Sequence, residues 1–253
     1  MQIKSTLETL RNFLDSQIRN GVKVKVYTRK EDQLNYFREI NIGVKYEEFK
    51  EIILQEETKL ELGGINQKSF SLVYPIEELD LIDDGKIRLF GSEIKEISNK
   101  TIDFGLFLLI GVTNLSENSF DEFKNLNFIS NGIEGFLIRT IPRRFWCRLS
   151  NSIINKFSFE FLGNAIMFLY QQKFKDIIKS MEIMFINSNQ ELIESFIDIS
   201  ISIRLDIEQK WRKKVKEWKR RVDCDFNWDC NECPYYDICE DVKEVLEKRE
   251  VLD

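Results

Sequence analysis

Phe104-Gly105-Leu106-Phe107-Leu108-Leu109-Ile110-Gly111-Val112 is the longest apolar run in the chain. It is half the length that a membrane-spanning helix needs, and two glycines interrupt it. It reads as the core of a buried strand extending from Thr101 to Val112. Upstream, Asp83-Asp84-Gly85 is a tight-turn signal that leads into a strand over Lys86 to Phe90. Lys59 to Leu62 and Ser69 to Tyr74 read as strands on either side of Gly63-Gly64. Tyr46 to Glu57 reads as a helix with Phe49, Ile52 and Ile53 on one face. Val22, Val24 and Val26 alternate with Lys23, Lys25 and Tyr27, the pattern of a half-buried strand. Leu7, Leu10, Leu14 and Ile18 recur at helical spacing behind a capping box at Ser5-Thr6-Leu7-Glu8, and Gly21 supplies the stop.

Downstream of the apolar run, Glu117 to Asn127 reads as helical. Phe136 to Thr140 and Arg144 to Leu149 form short strands around Pro142. Phe159 to Gln172 is a largely apolar helix, and Met181 to Asn187 is a strand. A long helix follows from about Asn189 to Val222, with an apolar stripe at Ile203, Ile207, Trp211, Val215, Trp218 and Val222. Its other face is basic: from Arg204 to Arg221 there are nine Lys or Arg and three acids, a net charge of +6. Such a face is either ordinary solvated surface or a positive patch that attracts an acidic partner or offsets a nearby negative centre. The whole predicts an α+β fold: a mixed, mostly antiparallel sheet with covering helices, a long C-terminal helix and a small cysteine-rich lobe. Three regions are expected: an N-terminal extension over 1–55, an α+β domain over 56–203, and the basic helix with its cysteine lobe over 204–253.

Composition narrows the chemistry. The chain has 253 residues, 43% of them hydrophobic, enough for a substantial core. Net charge is −6, so general nucleic-acid affinity is not expected. There is no histidine, which removes imidazole acid–base catalysis, Ser-His and Cys-His nucleophile pairs and His-based metal sites. No residue stands out as a general acid or base. No secretory signal and no membrane span is evident, so a cytoplasmic setting is expected.

Four of the five cysteines fall within sixteen residues: Cys224, Cys230, Cys233 and Cys239, spaced C-x5-C-x2-C-x5-C. Four thiolates that close together need a cation or a covalent link. Disulfides are uncommon in the expected compartment, so a metal centre is a better account than free or disulfide-linked cysteines. Four sulfur ligands suit a four-iron, four-sulfur cluster or zinc. Only Cys230 and Cys233 make the short hook typical of structural zinc. Pro234 directly after Cys233 matches the Cys-Pro pairing of ferredoxin cluster loops, so the iron cluster is the first reading and zinc the second. Cys147, between Trp146 and Arg148, reads as a small apolar core residue. Arg143, Arg144, Trp146 and Arg148 gather cations around an aromatic ring, an arrangement able to hold a nucleotide-like or phosphate group. A strand edge with ordinary surface arginines is the competing reading.

From Leu60 to about Arg221 the order of segments resembles the middle region of the acetyl-CoA synthase (beta) subunit of carbon monoxide dehydrogenase/acetyl-CoA synthase. The pieces are Leu62-Gly63-Gly64, Ser69-Phe70-Ser71-Leu72-Val73, Ile82-Asp83-Asp84-Gly85-Lys86-Ile87 closing with Gly91, Phe104-Gly105-Leu106, Glu134-Gly135, and Trp146-Cys147-Arg148-Leu149-Ser150. The helix carrying Gly163 and the strand Met181 to Asn187 follow in the family's order. The resemblance implies a four-iron cube, which in the family is paired with a two-nickel site whose distal metal sits in a Cys-Gly-Cys segment. No Cys-Gly-Cys occurs here, and Cys224 and Cys239 depart from the family's spacing around Cys230-x2-Cys233, so nickel is not expected. The family's coenzyme-facing residues align with Leu137, Ile138, Ile141, Pro142 and Arg143, and only Trp146 and Arg148 are kept, which puts coenzyme A binding in doubt. The resemblance therefore implies an iron–sulfur accessory, electron-transfer or partner-binding protein of anaerobic one-carbon metabolism. One alternative is an active CO-methylating synthase that takes nickel at the cluster or is completed by a second chain. The other is a zinc-stabilised binding module.

Overall fold

A computed structural model describes residues 2–30, 58–63, 68–94, 100–113, 129–133, 136–141, 144–150, 157–187 and 190–222. The order of elements is α1 (Gln2–Arg19), β1 (Val24–Thr28), β2 (Thr58–Gly63), β3 (Ser69–Ile76), a 3-10 turn (Leu79–Leu81), β4 (Lys86–Gly91), β5 (Lys100–Ile102), β6 (Phe104–Val112), β7 (Ile129–Ile133), β8 (Phe136–Ile141), β9 (Arg144–Ser150), α2 (Phe159–Lys173), β10 (Ile178–Asn187) and α3 (Gln190–Val222). The helices expected at Tyr46 to Glu57 and Glu117 to Asn127 lie outside the described residues. The α+β class is as the sequence indicates, but the described strands form two sheets instead of one. The first has the order β1-β4-β10-β6-β3 and the second β5-β2-β9-β8-β7.

The first sheet is mixed. β4 and β10 are parallel, as are β6 and β3, whereas β1–β4 and β10–β6 are antiparallel. All nine residues of β6 are buried, because helices cover both faces of the sheet around it. On one face α2 lies against β10 and β4, with Phe159 stacked on Phe104 at 5.7 Å between centroids and Phe185 5.5 Å away. On the other face Phe196 of α3 meets Phe70, Phe90 and Phe107, and Phe13 of α1 meets Phe196 edge-on at 4.9 Å. The glycines of β6 serve this packing. A Cβ at Gly105 would overlap the Phe70 ring.

The expected single strand from Thr101 to Val112 is in fact two strands on two sheets. Residues 100–102 pair with β2, and residues 104–112 pair with β3 and β10. Asp103 makes the break: its carboxylate accepts from Lys68 N at 3.0 Å while Phe104 N donates to Lys68 O at 3.1 Å. β7, which no alternation marks in Ile129-Ser130-Asn131-Gly132-Ile133, adds an edge strand to the second sheet. β1 also departs from its pattern. Val24 and Tyr27 are half-buried but Val26 is 56% exposed, since the strand is an edge paired only with β4 among the described strands.

The chain divides into two compact units, Met1–Ile207 and Glu208–Asp253. The first contains both sheets, α1, α2 and the start of α3. α1 buries Leu7, Leu10 and Leu14, and β1 is hydrogen-bonded to β4, so the N-terminal elements build into that unit.

Candidate functional site

The second sheet positions one group of sequence-derived site residues. β9 is antiparallel to β2 and β8, with Leu62 opposite Cys147 and Glu61 opposite Arg148. Leu60, Leu62, Cys147 and Leu149 are fully buried. Glu61 and Arg148 lie on the other, half-buried side, where Arg148 Nε donates to Glu61 Oε1 at 3.3 Å. Arg144 and Trp146 take alternate positions of the same strand, opposite Ile141 and Arg139 of β8. Arg143 lies outside the described residues. The structure thus ties Arg148 to a carboxylate partner and sets Arg144, Trp146 and Arg148 at every second position of one strand.

Cys147 is inside the core. Burial pushes its thiol well above the ordinary cysteine range, and the negative charge of Glu61 adds to the shift. The sulfur is held protonated, which suits packing and disfavours metal ligation or nucleophilic attack.

A cluster that the sequence reading passed over surrounds the Asp83-Asp84-Gly85 turn. Glu182 of β10 is 1% exposed and forms an ion pair with Arg88 of β4. Its other oxygen accepts from Asp83 N at 3.0 Å. Arg88 also reaches the Asp83 carboxylate, and that pairing holds Asp83 below its usual range. Asp84 Oδ1 accepts from Met181 N at 2.9 Å, Gly85 N donates to Met181 O at 2.8 Å, and Gly85 takes a φ of +74°. The group clamps a left-handed turn onto the central strand. A lone acid within Met181-Glu182-Ile183-Met184-Phe185-Ile186 is the signal that marks it. With both charges paired, the cluster is structural. Among the described residues no group of three or more cysteine or acidic side chains is placed to hold a metal ion.

Cys224, Cys230, Cys233 and Cys239 lie outside the described residues, in the second unit. α3 leads directly to them, ending at Val222. Of its stripe, Ile203 is buried, while Leu205 on the flank is 50% exposed.

Residues 39–192 match the family described as the CO dehydrogenase/acetyl-CoA synthase complex beta subunit. The matched span is more than half of the chain and contains every described strand except β1. The chain belongs to this beta-subunit family. The acetyl-CoA decarbonylase/synthase complex subunit beta of Methanopyrus kandleri is 27% identical over 143 residues, which is 55% of this chain and 30% of that relative. The beta-subunit match begins earlier than the Leu60 at which the resemblance is legible by eye, taking in residues 39–55. It includes Arg143, Arg144, Trp146 and Arg148, and it stops at Leu192, ahead of all four clustered cysteines. No helix among the described residues is long and apolar enough to cross a membrane.

Proposed function

We propose that this member of the beta-subunit family is an iron–sulfur accessory protein of anaerobic one-carbon metabolism. It holds one four-iron, four-sulfur cluster on Cys224, Cys230, Cys233 and Cys239, and it transfers electrons or binds a protein partner in CO and acetyl-CoA metabolism instead of making acetyl-CoA. The observation that carries this is the division of labour along the chain. The family match covers every described strand but β1 and ends at Leu192, and a four-cysteine set of a different spacing follows in the second unit. With no histidine anywhere in the sequence, that set offers sulfur alone, which is the chemistry of an iron–sulfur cluster, with zinc as the second fit. When bound, such a cluster takes up and releases one electron at a time.

One feature favours an accessory role over synthesis. Arg148, one of the two retained coenzyme-side positions, is engaged by Glu61. The relative's name places it in a complex, and a partner protein is proposed here by the same kinship. The test is to supply anaerobically purified protein with a methyl donor, CO and coenzyme A, with and without added nickel, and to record an EPR spectrum after dithionite reduction. The expected result is the signal of a reduced cluster and no acetyl-CoA above the protein-free control. Nickel-dependent acetyl-CoA formation would overturn the accessory reading in favour of a synthase.

A further inference from the structure

β1 stands at one end of the first sheet, and β4 is its only partner among the described strands. The register fixes which way its backbone faces. Gly91 N donates to Lys23 O and Arg29 N donates to Gly85 O, each at 2.8 Å, so the odd-numbered residues from Lys23 to Arg29 pair with β4. In an antiparallel ladder the residues between them turn the other way. Val24, Val26 and Thr28 therefore aim their N–H and C=O groups outward, along a row with no strand beside it among the described residues. Val26, in the middle of that row, is 56% exposed. An edge of this kind is a template for one more strand.

The side chains decide which strand it accepts. Val22 to Lys30 holds four cations, Lys23, Lys25, Arg29 and Lys30, and no acid, in a chain whose net charge is −6. Lys25 and Lys30 stay about half exposed although Glu93 and Glu160 lie 3.9 and 3.0 Å away. Successive side chains of a strand point to opposite faces, so an added strand meets Lys23 and Lys25 on one face and Val24 and Val26 on the other. A second copy of β1 pairing antiparallel about Val26 would bring Lys23 opposite Arg29, like charge against like. We propose that the outer edge of β1 docks an extended acidic segment of a partner protein as an additional strand of the first sheet. Residues 24, 26 and 28 supply the main-chain hydrogen bonds, Val24 and Val26 the apolar contact, and Lys23 and Lys25 the preference for glutamate or aspartate at alternate positions. The same cations keep the edge from pairing indiscriminately. The surface lies ahead of the family-matched span, which begins at residue 39, and it does not rest on the function proposed above.

The test uses the full chain and short capped peptides in which valine alternates with glutamate, serine or lysine. Binding is read from the anisotropy of a dye on the peptide, and amide hydrogen exchange is followed by NMR. In the dilute free protein the amides of Lys25 and Tyr27 should be protected and those of Val24, Val26 and Thr28 should exchange freely. Saturation with the glutamate peptide should slow these three about tenfold or more. Val26→Pro removes an outward donor and no bond to β4, so Lys25 and Tyr27 should stay protected while affinity falls about tenfold. Lys23→Gln/Lys25→Gln should bring the glutamate peptide down to the affinity of the serine peptide and flatten its salt dependence. The lysine peptide should bind weakest. No binding, equal binding of all the peptides, or binding that Val26→Pro leaves unchanged would overturn the proposal. So would protection of Val24, Val26 and Thr28 in the dilute free protein, which would mean that the chain covers its own edge. Protection that grows with protein concentration, alongside a doubled mass, would replace the acidic partner with a second copy of the chain.

Discussion

Cys147 and the four cysteines between 224 and 239 are the same residue in opposite circumstances. Cys147 sits on a central strand of the second sheet, fully buried, with its thiol held protonated by burial and by Glu61. The other four follow a basic helix in a stretch of alternating acids and aromatics. The difference extends to the units that contain them. The first unit has a large apolar core, while the second is 46 residues long and near the size at which a metal or disulfide is usually needed. Cysteine in the first unit is packing material; in the second, under the proposed function, it is a metal ligand.

Perturbing the first unit should therefore cost stability without touching metal content. The largest such effect is expected from Arg88→Met, which strands the buried Glu182 carboxylate without its partner. Urea denaturation should show a loss of about 3–5 kcal/mol, and most of it should return in Arg88→Met/Glu182→Leu, because removing both charges removes the desolvation penalty. Next comes Gly105→Ala. The added methyl has no room beside Phe70, so about 1–3 kcal/mol should be lost on the same measurement. The smallest change is expected from Cys147→Ala, a loss of about 1 kcal/mol from a slightly underfilled core. Its metal content should equal that of the wild type. A drop in bound metal in Cys147→Ala would break the contrast between the two kinds of cysteine.

Much of the first unit was legible in the sequence because its elements follow local rules. α2 begins where Ser158 caps it, its side chain accepting from Phe161 N at 3.0 Å, and its apolar run ends with Lys173. The Asp-Asp-Gly turn and the strands on either side of Gly63-Gly64 are likewise written locally. What local rules miss is decided by partners far away in the chain. Asp103 splits an apolar run between two sheets through its bond to Lys68, and nothing within Thr101 to Val112 announces that. The buried Glu182 is explained only by Arg88 on the neighbouring strand, and Val26 is exposed only because β1 is an edge. For the candidate site the position is reversed. The proposed ligand set can be named only from spacing and composition, four cysteines in sixteen residues with no histidine, and it lies outside the described residues. The register of β9, and with it the pairing of Arg148 with Glu61, requires the assembled sheet.

The central claim is that the four clustered cysteines bind an iron–sulfur cluster while Cys147 does not take part. Its most direct test is metal and sulfide content per chain after purification without oxygen, for the wild type and for single serine replacements at all five cysteines. The account predicts about four irons and four sulfides in the wild type, a marked loss with Cys224→Ser, Cys230→Ser, Cys233→Ser or Cys239→Ser, and no loss with Cys147→Ser. Stoichiometric zinc in a colourless protein, or iron that survives the four clustered replacements, would contradict it.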